Sequence, residues 1–253
     1  MVRENFEPKP EQTMNVKAVF AAACLAALAT VPAARAGDVA NLEVMGFSAD
    51  GGIFVFEEYG VQDGSGFPYS NRYYIDTATD KFLPGSPVRV RLDDESANLE
   101  AARKQSSELG DKIVKGAGLN RGIAAGSNAV TQLNADPHRM VVNPRPVFPP
   151  IDDPLEVRLE EIPLPAAGSC EGMGETSGFR LLRIDAHDGG QTRTLHEDKT
   201  IPQSRGCPLG YSIGGIQTFF GEGGKPAYAV LIAIRGVGFE GPDYRWIAVT
   251  GRL

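Results

Sequence analysis

The chain has 253 residues, with 25 Lys and Arg against 32 Asp and Glu, and a formal net charge of −7 at pH 7. An acidic chain without a basic cluster is poorly suited to nucleic acid or to anionic lipid, so we expect neither as a partner. Past the N-terminal region, no run approaches the roughly 20 apolar residues of a transmembrane helix. We therefore expect no such segment in the mature chain.

Residues 1–36 have the organisation of a secretory signal peptide. Lys17 supplies a positive charge, and Ala18–Val31 is apolar, uncharged and too short to span a bilayer. Pro32 then breaks the helix, and Ala34-Arg35-Ala36 gives the small residues that signal peptidase requires. We predict export to the periplasm or beyond, with cleavage that leaves Gly37 as the first residue.

Two details of this N-terminal segment allow alternatives. Met14 is the predicted start of translation, because the polar residues before it add nothing to a signal peptide. A lipid anchor on Cys24 is the competing interpretation, but Ala21-Ala22-Ala23 lacks the branched apolar residue of a lipobox. Cleavage removes four basic and three acidic residues, so 21 basic and 29 acidic ones remain and the net charge becomes −8.

The mature chain keeps two of the three cysteines, Cys170 and Cys207. An even number of cysteines in an oxidising compartment predicts a disulfide bond between them. The alternative is a redox or nucleophilic thiol. Neither cysteine lies in a Cys-x-x-Cys motif, so the structural interpretation is favoured.

In chain order, most of the mature sequence has the patterns of β-strands separated by turn residues. Ile53–Glu57 follows an Asp-Gly turn that is typical of hairpins, and Tyr73–Asp76 is its predicted partner. Ile53–Phe56 and Tyr228–Ile234 are apolar on both alternating faces, so we predict that both are central strands covered on two sides. The remaining predicted strands are Val88–Leu92, Arg139–Val142, Leu155–Ile162, Phe179–Asp185, Thr192–His196, Tyr211–Phe220 and Tyr244–Thr250.

One amphipathic helix is predicted near 94–115, with a glycine stop at 116–118. Residues 116–134 are small and polar and 143–154 contain five prolines, which indicates a long surface connection. We predict a single mainly-β domain over 37–253, with antiparallel sheets in a sandwich-like or propeller-like arrangement. An internal boundary near 117–154 is the alternative.

Two resemblances follow from particular segments. Residues 47–80, a turn-strand-loop-strand unit, resemble a blade of the TolB and WD-type β-propellers. The segments FEEYGVQDGSGFPYS (56–70), LHED with IPQSRGCPLGY (195–211) and GFEGPDYRW (238–246) resemble a bacterial family of predicted secreted proteins of unknown function, domain of unknown function 2259. That resemblance implies an envelope or periplasmic location and carries no activity, cofactor or catalytic residue.

Candidate catalytic and metal-binding groups are scattered. Glu57 and Glu58 point to opposite faces of a strand, so they cannot act as a pair, and each is expected to end in a salt bridge or to serve a site. His196-Glu197-Asp198 has suitable atoms for a metal or a general base but lacks a metal-binding spacing, and His187 is expected to be solvated. We predict no metal and no cofactor.

The Gly-Phe loops at 63–69 and 238–246 give the best candidate surface, because aromatic residues on glycine-supported loops offer contact area at low ordering cost. The two loops follow strands that are apolar on both faces, so we expect them at one end of the fold, bordering a shared cleft. The predicted binding residues are Asp63, Phe67, Tyr69, Arg205, Phe239, Asp243, Arg245 and Trp246.

These features favour a non-catalytic binding or envelope-accessory protein that takes an envelope protein or a small ligand. The first alternative is a hydrolase of cell-envelope material that uses Glu57 or Glu58 with Asp63, Asp198 or His196. The second is a purely structural secreted domain, in which the loop aromatics only close the core. Convergence of the distant carboxylates in one cleft would favour the hydrolase.

Overall fold

A computed structural model describes residues 37–114, 118–185, 190–221 and 223–253. The predicted signal peptide with its cleavage motif and Cys24 lies outside the described residues. His187 and the turn residues 188–189 lie outside them as well.

The described residues form three antiparallel sheets and one α-helix, which confirms the mainly-β prediction. The helix α1 spans Leu99–Gly110 and packs against one of the sheets, called here the helix-side sheet. This sheet contains β1 (Asn41–Phe47), β2 (Ile53–Val61), β3 (Pro68–Asp76), β4 (Lys81–Phe82) and β5 (Val88–Arg91). Its strand β3 pairs with β2, β4 and β5. The central sheet has the order β13 (Asp243–Arg252), β12 (Ala227–Gly236), β11 (Pro208–Phe219) and β6 (Ile123–Ser127). The outer sheet has the order β10 (Thr192–Glu197), β9 (Thr176–Ile184), β8 (Leu155–Leu164) and β7 (Arg139–Val142).

The strand β12 shows why the sheets stack in this order. Ala229 and Leu231 belong to an apolar cluster shared with the helix-side sheet, whereas Val230 and Ile232 belong to one shared with the outer sheet. Each of these side chains is at most 2% exposed. The prediction that this strand is central and covered on both sides is confirmed, and the stack corresponds to the sandwich-like alternative.

The strand β2 is covered on both faces in the same way. Phe54 and Phe56 face the central sheet, and Val55 faces α1 with Ala102. The helix is shorter than the predicted span of 94–115. It starts after Asn98, whose side-chain oxygen accepts a hydrogen bond from the backbone of Ala101 at 2.8 Å.

Tyr74 explains why the last residue of the helix is a glycine. A Cβ on Gly110 would lie 1.9 Å from the hydroxyl oxygen of Tyr74, so the chain approaches β3 here closely enough to require glycine. The predicted glycine stop at 116–118 is therefore wrong, because the helix has already ended at Gly110.

The surface connection predicted at 116–134 contains the strand β6, which pairs with β11 in the central sheet. Its small residues permit this position, since a Cβ on Gly126 would lie 2.7 Å from both the Met140 sulfur and a Val142 methyl. The proline-rich part, by contrast, is mostly exposed after Pro144, and Phe148 there is 96% accessible. Composition alone misidentified β6 as a loop.

Cys170 and Cys207 form the predicted disulfide, with an S–S distance of 2.09 Å and Cα atoms 5.4 Å apart. The bond ties the segment before β9 to the segment before β11.

Replacing both cysteines by serine is expected to lower the free energy of unfolding by about 4 kcal/mol, because the bond closes a long loop in the unfolded chain. Urea denaturation of oxidised protein and of the double variant measures the difference. Reduced wild-type protein should match the variant, and equal stability of all three forms would contradict the prediction.

Candidate functional site

A cleft of about 480 Å³ lies along β13, the edge strand of the central sheet, between the helix-side and outer sheets. The helix-side sheet and its turns contribute Glu58, Asn71, Tyr73, Asp80, Phe82 and Arg89 to its lining. The other wall includes Phe179, His196, Ser204, Arg205 and Cys207, and the floor includes Asp243 and residues 245–249. A volume of this size is typical of small-molecule sites.

The edge of β13 forms the floor of this cleft. The ladder between β12 and β13 runs without a register shift, so alternate residues of β13 direct their backbone groups away from β12. Contacts made by Tyr244, Trp246 and Thr250 on the outer side show that the even-numbered residues are the outward ones. An open sheet edge of this kind is a template for further strand pairing.

Two carboxylates close most of that edge. A Glu58 carboxylate oxygen accepts a hydrogen bond from the Trp246 backbone N–H at 2.7 Å, and an Asp80 oxygen accepts one from Thr250 at 2.7 Å. Both acids therefore satisfy backbone donors that would otherwise face the cleft. This role explains why carboxylates from the helix-side sheet point toward the central sheet.

Glu58 is fully engaged by hydrogen bonds. Its other carboxylate oxygen accepts from the Tyr73 hydroxyl at 2.7 Å and from the Asn71 amide at 3.0 Å, and the residue is only 3% exposed. Burial and the Glu58 charge both raise the pKa of Tyr73 well above its ordinary value, so this hydroxyl stays a donor. Glu58 thus holds three neighbours in place.

Asp80, the second carboxylate at this edge, has a raised pKa. Its carboxylate also accepts a hydrogen bond from the Thr250 hydroxyl at 2.9 Å. Burial raises the pKa of Asp80, and this effect outweighs the hydrogen bonds from Thr250, which lower the pKa. Asp80 is therefore the carboxyl group of the cleft that is protonated more easily than an ordinary aspartic acid.

On the opposite wall, a buried aspartate holds a histidine and an arginine. Asp198 accepts from His196 Nε2 at 2.9 Å, from the Phe179 backbone N–H at 3.0 Å and from the Arg205 guanidinium. Since an ionised carboxylate only accepts, this contact assigns the ring proton of neutral His196 to Nε2. Burial raises the pKa of Asp198, but the bonds from these partners dominate and the pKa is lowered overall.

Arginines on both sides balance the acids of the cleft. Arg245 forms an ion pair with Asp38 at 2.6 Å, and its guanidinium lies over the Tyr69 ring at 5.0 Å. Arg89 lines the cleft with no ion pair to any acid in the described ranges. The lining has three arginines and three acids, so it carries no net charge when His196 is neutral. These residues are Arg89, Arg205, Arg245, Glu58, Asp80 and Asp243.

Glu57 lies outside this cleft, on the other face of β2. Its carboxylate accepts two hydrogen bonds from Arg103 of α1, both at 3.0 Å, and one from Ser70 at 2.8 Å, and it pairs with Arg72 at 3.3 Å. The expectation that Glu57 and Glu58 point to opposite faces is confirmed. Glu57 serves the salt-bridge role that was its structural alternative.

The two Gly-Phe loops lie side by side. Asp63 accepts a hydrogen bond from the Glu240 backbone N–H at 3.0 Å, and a Cβ on Gly64 would lie 3.3 Å from the Phe239 ring. Phe239 is nevertheless 82% exposed, whereas Tyr69 and Trp246 belong to the buried core. Phe67 is half-buried, with Arg91 placed 5.9 Å from its ring.

The predicted binding residues are divided by the structure. Arg205, Asp243, Arg245 and Trp246 line the cleft along β13. Tyr69 lines an adjoining cleft of about 390 Å³, which shares Asn71, Arg89 and Arg245 with the first. Asp63, Phe67 and Phe239 line neither of these two clefts, so the four loop aromatics do not border a single cavity. Whether any of these residues binds a ligand stays a prediction.

Four lining residues were not predicted from the sequence as site residues: Asn71, Tyr73, Asp80 and Arg89. Asp80 carries one usable signal, because it ends the polar turn after β3 and has a φ of 55°, which aspartate tolerates better than most residues. The others carry no local signal. Among the described residues, no group of three or more His, Cys, Asp or Glu is placed to hold a metal ion.

The fold and cleft define a layered, disulfide-bonded β protein with a ligand-sized cleft at the edge of its central sheet. Residues 55–252 match the family described as Predicted secreted protein (DUF2259), and the chain belongs to this family. The resemblance identified from the sequence is thereby confirmed. Comparison with curated proteins gave no significant match, and neither did comparison with solved structures. No helix in the described part of the chain is long and apolar enough to cross a membrane.

Proposed function

We propose that this protein is a non-catalytic periplasmic binding protein that holds a small ligand in the cleft along β13. The observation that carries the proposal is the cleft itself, which combines a ligand-sized volume with a lining drawn from all three sheets. Strands of a packed core hold such a lining rigidly, which lowers the entropy cost of binding.

The hydrogen bonds of the acids support binding over catalysis. A general acid or base must exchange a proton with the substrate at hydrogen-bonding distance. Glu58 already accepts three hydrogen bonds, and Asp80 accepts two from Thr250. Their present partners are backbone and side-chain groups of the protein, so both acids act as fixed acceptors that shape the cleft.

Native mass spectrometry of protein prepared from the periplasm tests the proposal. Wild-type protein should carry a bound small molecule, and Ser204→Trp should lose it, because Ser204 is exposed on the cleft wall and an indole there fills the cavity. Ser169→Trp is the matched control, an exposed serine in the other short 3-10 turn and outside the cleft. Equal ligand occupancy in both variants would contradict a site in the cleft.

A hydrolase of envelope material is the second candidate function. It is favoured by the meeting of Glu58, Asp80 and His196 from distant parts of the sequence in one cleft. Release of dye from labelled peptidoglycan measures this activity. The hydrolase predicts turnover that His196→Ala abolishes, whereas the binding protein predicts no turnover above the buffer rate.

A further inference from the structure

We propose that the ligand of the cleft is a short, uncharged, extended peptide that pairs with the backbone of Ala248 on the open edge of β13. The inference rests on the proposed function, because it assigns a ligand class to the same cleft. Its starting point is a backbone donor and acceptor that the fold leaves open.

Ala248 is the open position of the β13 edge, between two residues whose backbone N–H groups are already hydrogen-bonded. The outward N–H groups of Trp246 and Thr250 are bound by Glu58 and Asp80. Ala248 lies midway between them in the strand. Because the ladder to β12 has no register shift, the backbone N–H and C=O of Ala248 also point away from β12. Its N–H has no hydrogen-bond partner in the described ranges, and the residue lines the cleft.

The same edge already pairs with an extended segment four residues before Ala248. Residues 38–40 lie beside Tyr244 as a parallel bridge, in which the Tyr244 N–H donates to the Asp38 carbonyl at 2.8 Å and the Ala40 N–H donates to the Tyr244 carbonyl at 3.0 Å. A peptide at Ala248 would repeat this pair of bonds with its own carbonyl and N–H. Strand addition of this kind is a common mode of peptide recognition.

The two carboxylates limit the length of the peptide. Trp246 and Thr250 are four residues apart on a strand, which corresponds to about 13 Å at roughly 3.3 Å per residue. An extended peptide of about three residues fits that interval. A longer partner must leave the plane of the sheet at Glu58 or Asp80, so these acids favour short ligands over a full additional strand.

The lining also indicates the composition of the peptide. Its three arginines and three acids cancel, so the cleft gives no net attraction to an anionic or cationic chain. Phe82 is 52% exposed and presents apolar surface on one wall, whereas Phe179 on the other wall is fully buried and contacts the His196 ring and the Arg205 guanidinium. A small uncharged side chain therefore fits against Phe82, while the peptide backbone supplies the polar contacts.

The variant Ala248→Pro tests the backbone contact directly. Proline removes the outward N–H and no bond of the β12–β13 ladder, and an edge position is where a strand tolerates proline. In an NMR titration with acetyl-trialanine amide, the Ala248 amide signal of wild-type protein should shift. Loss of that hydrogen bond should weaken binding by about tenfold in Ala248→Pro. Ala248→Ser keeps the N–H and is expected to bind within about twofold of wild type.

A methylated peptide tests the same backbone contact on wild-type protein, so that the result does not depend on whether Ala248→Pro folds. Acetyl-trialanine amide methylated on the nitrogen of its third alanine, which corresponds to Ala40 in the existing bridge, cannot donate to the Ala248 carbonyl. It should therefore bind wild-type protein about tenfold more weakly than the parent peptide. Equal affinity for both peptides, or no shift of the Ala248 amide, would overturn the peptide assignment. A chitotriose probe that binds wild-type protein, fails with Ser204→Trp and ignores Ala248→Pro would also overturn it, while leaving the proposed function intact.

Discussion

Replacing Glu57 by alanine is expected to lower the free energy of unfolding by about 3–5 kcal/mol, because the change leaves buried arginine charge without its partner. The carboxylate is 1% exposed and joins Arg103 of α1 to Arg72 of β3. The Nε of Arg72 is buried with no hydrogen-bond partner among the described residues. Without Glu57, Arg72 would keep its bond to the Ser107 hydroxyl at 3.0 Å but no carboxylate, whereas Arg103 would keep Glu43. Urea denaturation at pH 7 measures the change.

A surface glutamate on the helix itself supplies the control for Glu57. Glu108 pairs with Lys104 one turn away at 3.9 Å, and both side chains are well exposed, so Glu108→Ala should have little effect on stability. Hydrogen exchange adds a local reading, since α1 should lose protection in Glu57→Ala more than β12 does. Equal stabilities for the two variants would show that the buried pair does not hold the helix to the sheet.

The strands that the sequence predicted share a strong local pattern. In β2 and β12 both alternating faces are apolar, and this pattern fixed them as central strands before any contact was known. β1 was missed because its ladder to β2 shifts register between Val44 and Gly46, which interrupts the alternation of its side chains. Its Gly46 has a φ of 116°, a backbone conformation that favours glycine.

The candidate site was predictable only in part, for a physical reason. Arg205, Asp243, Arg245 and Trp246 were identified from their loops, and they do line the cleft. Their partners come from strands that are far away in the sequence, as in the bond between Glu58 and Trp246, whose positions differ by 188 residues. No local sequence pattern indicates which edge strand a given carboxylate will contact in the folded protein.

Glu58 and Asp80 protect the edge of β13, a role that their residue type alone does not indicate. A strand edge with free N–H groups invites pairing with other chains, and charged side chains aimed at an edge are one way that proteins prevent it. The same two acids leave Ala248 open between them. Protection against unwanted pairing follows from this arrangement, and under the proposed peptide binding the same arrangement would select a short ligand.

Asp198→Asn is expected to lower the free energy of unfolding at pH 7 by about 3 kcal/mol, because an amide presents donors to the guanidinium of Arg205 in a buried site. The Asp198 side chain is 3% exposed and that of Arg205 is 9% exposed, so solvent screens the pair little. Urea denaturation measures the loss. Asp93→Asn, which removes an exposed partner of Arg91, is the control and should change stability little.

The same variant carries a pH signature. The pKa of folded Asp198 lies below the ordinary aspartate value, so its stabilising contribution is fully present above that value and is lost as pH falls through the lower, folded pKa. The stability difference between wild type and Asp198→Asn should therefore shrink as the pH falls below about 4. Burial raises the pKa of Asp38 and of Asp80, but both titrate in wild type and variant alike, so the subtraction removes them to first order. A difference that persists undiminished at pH 2 would show that the charge of Asp198 does not stabilise this wall of the cleft.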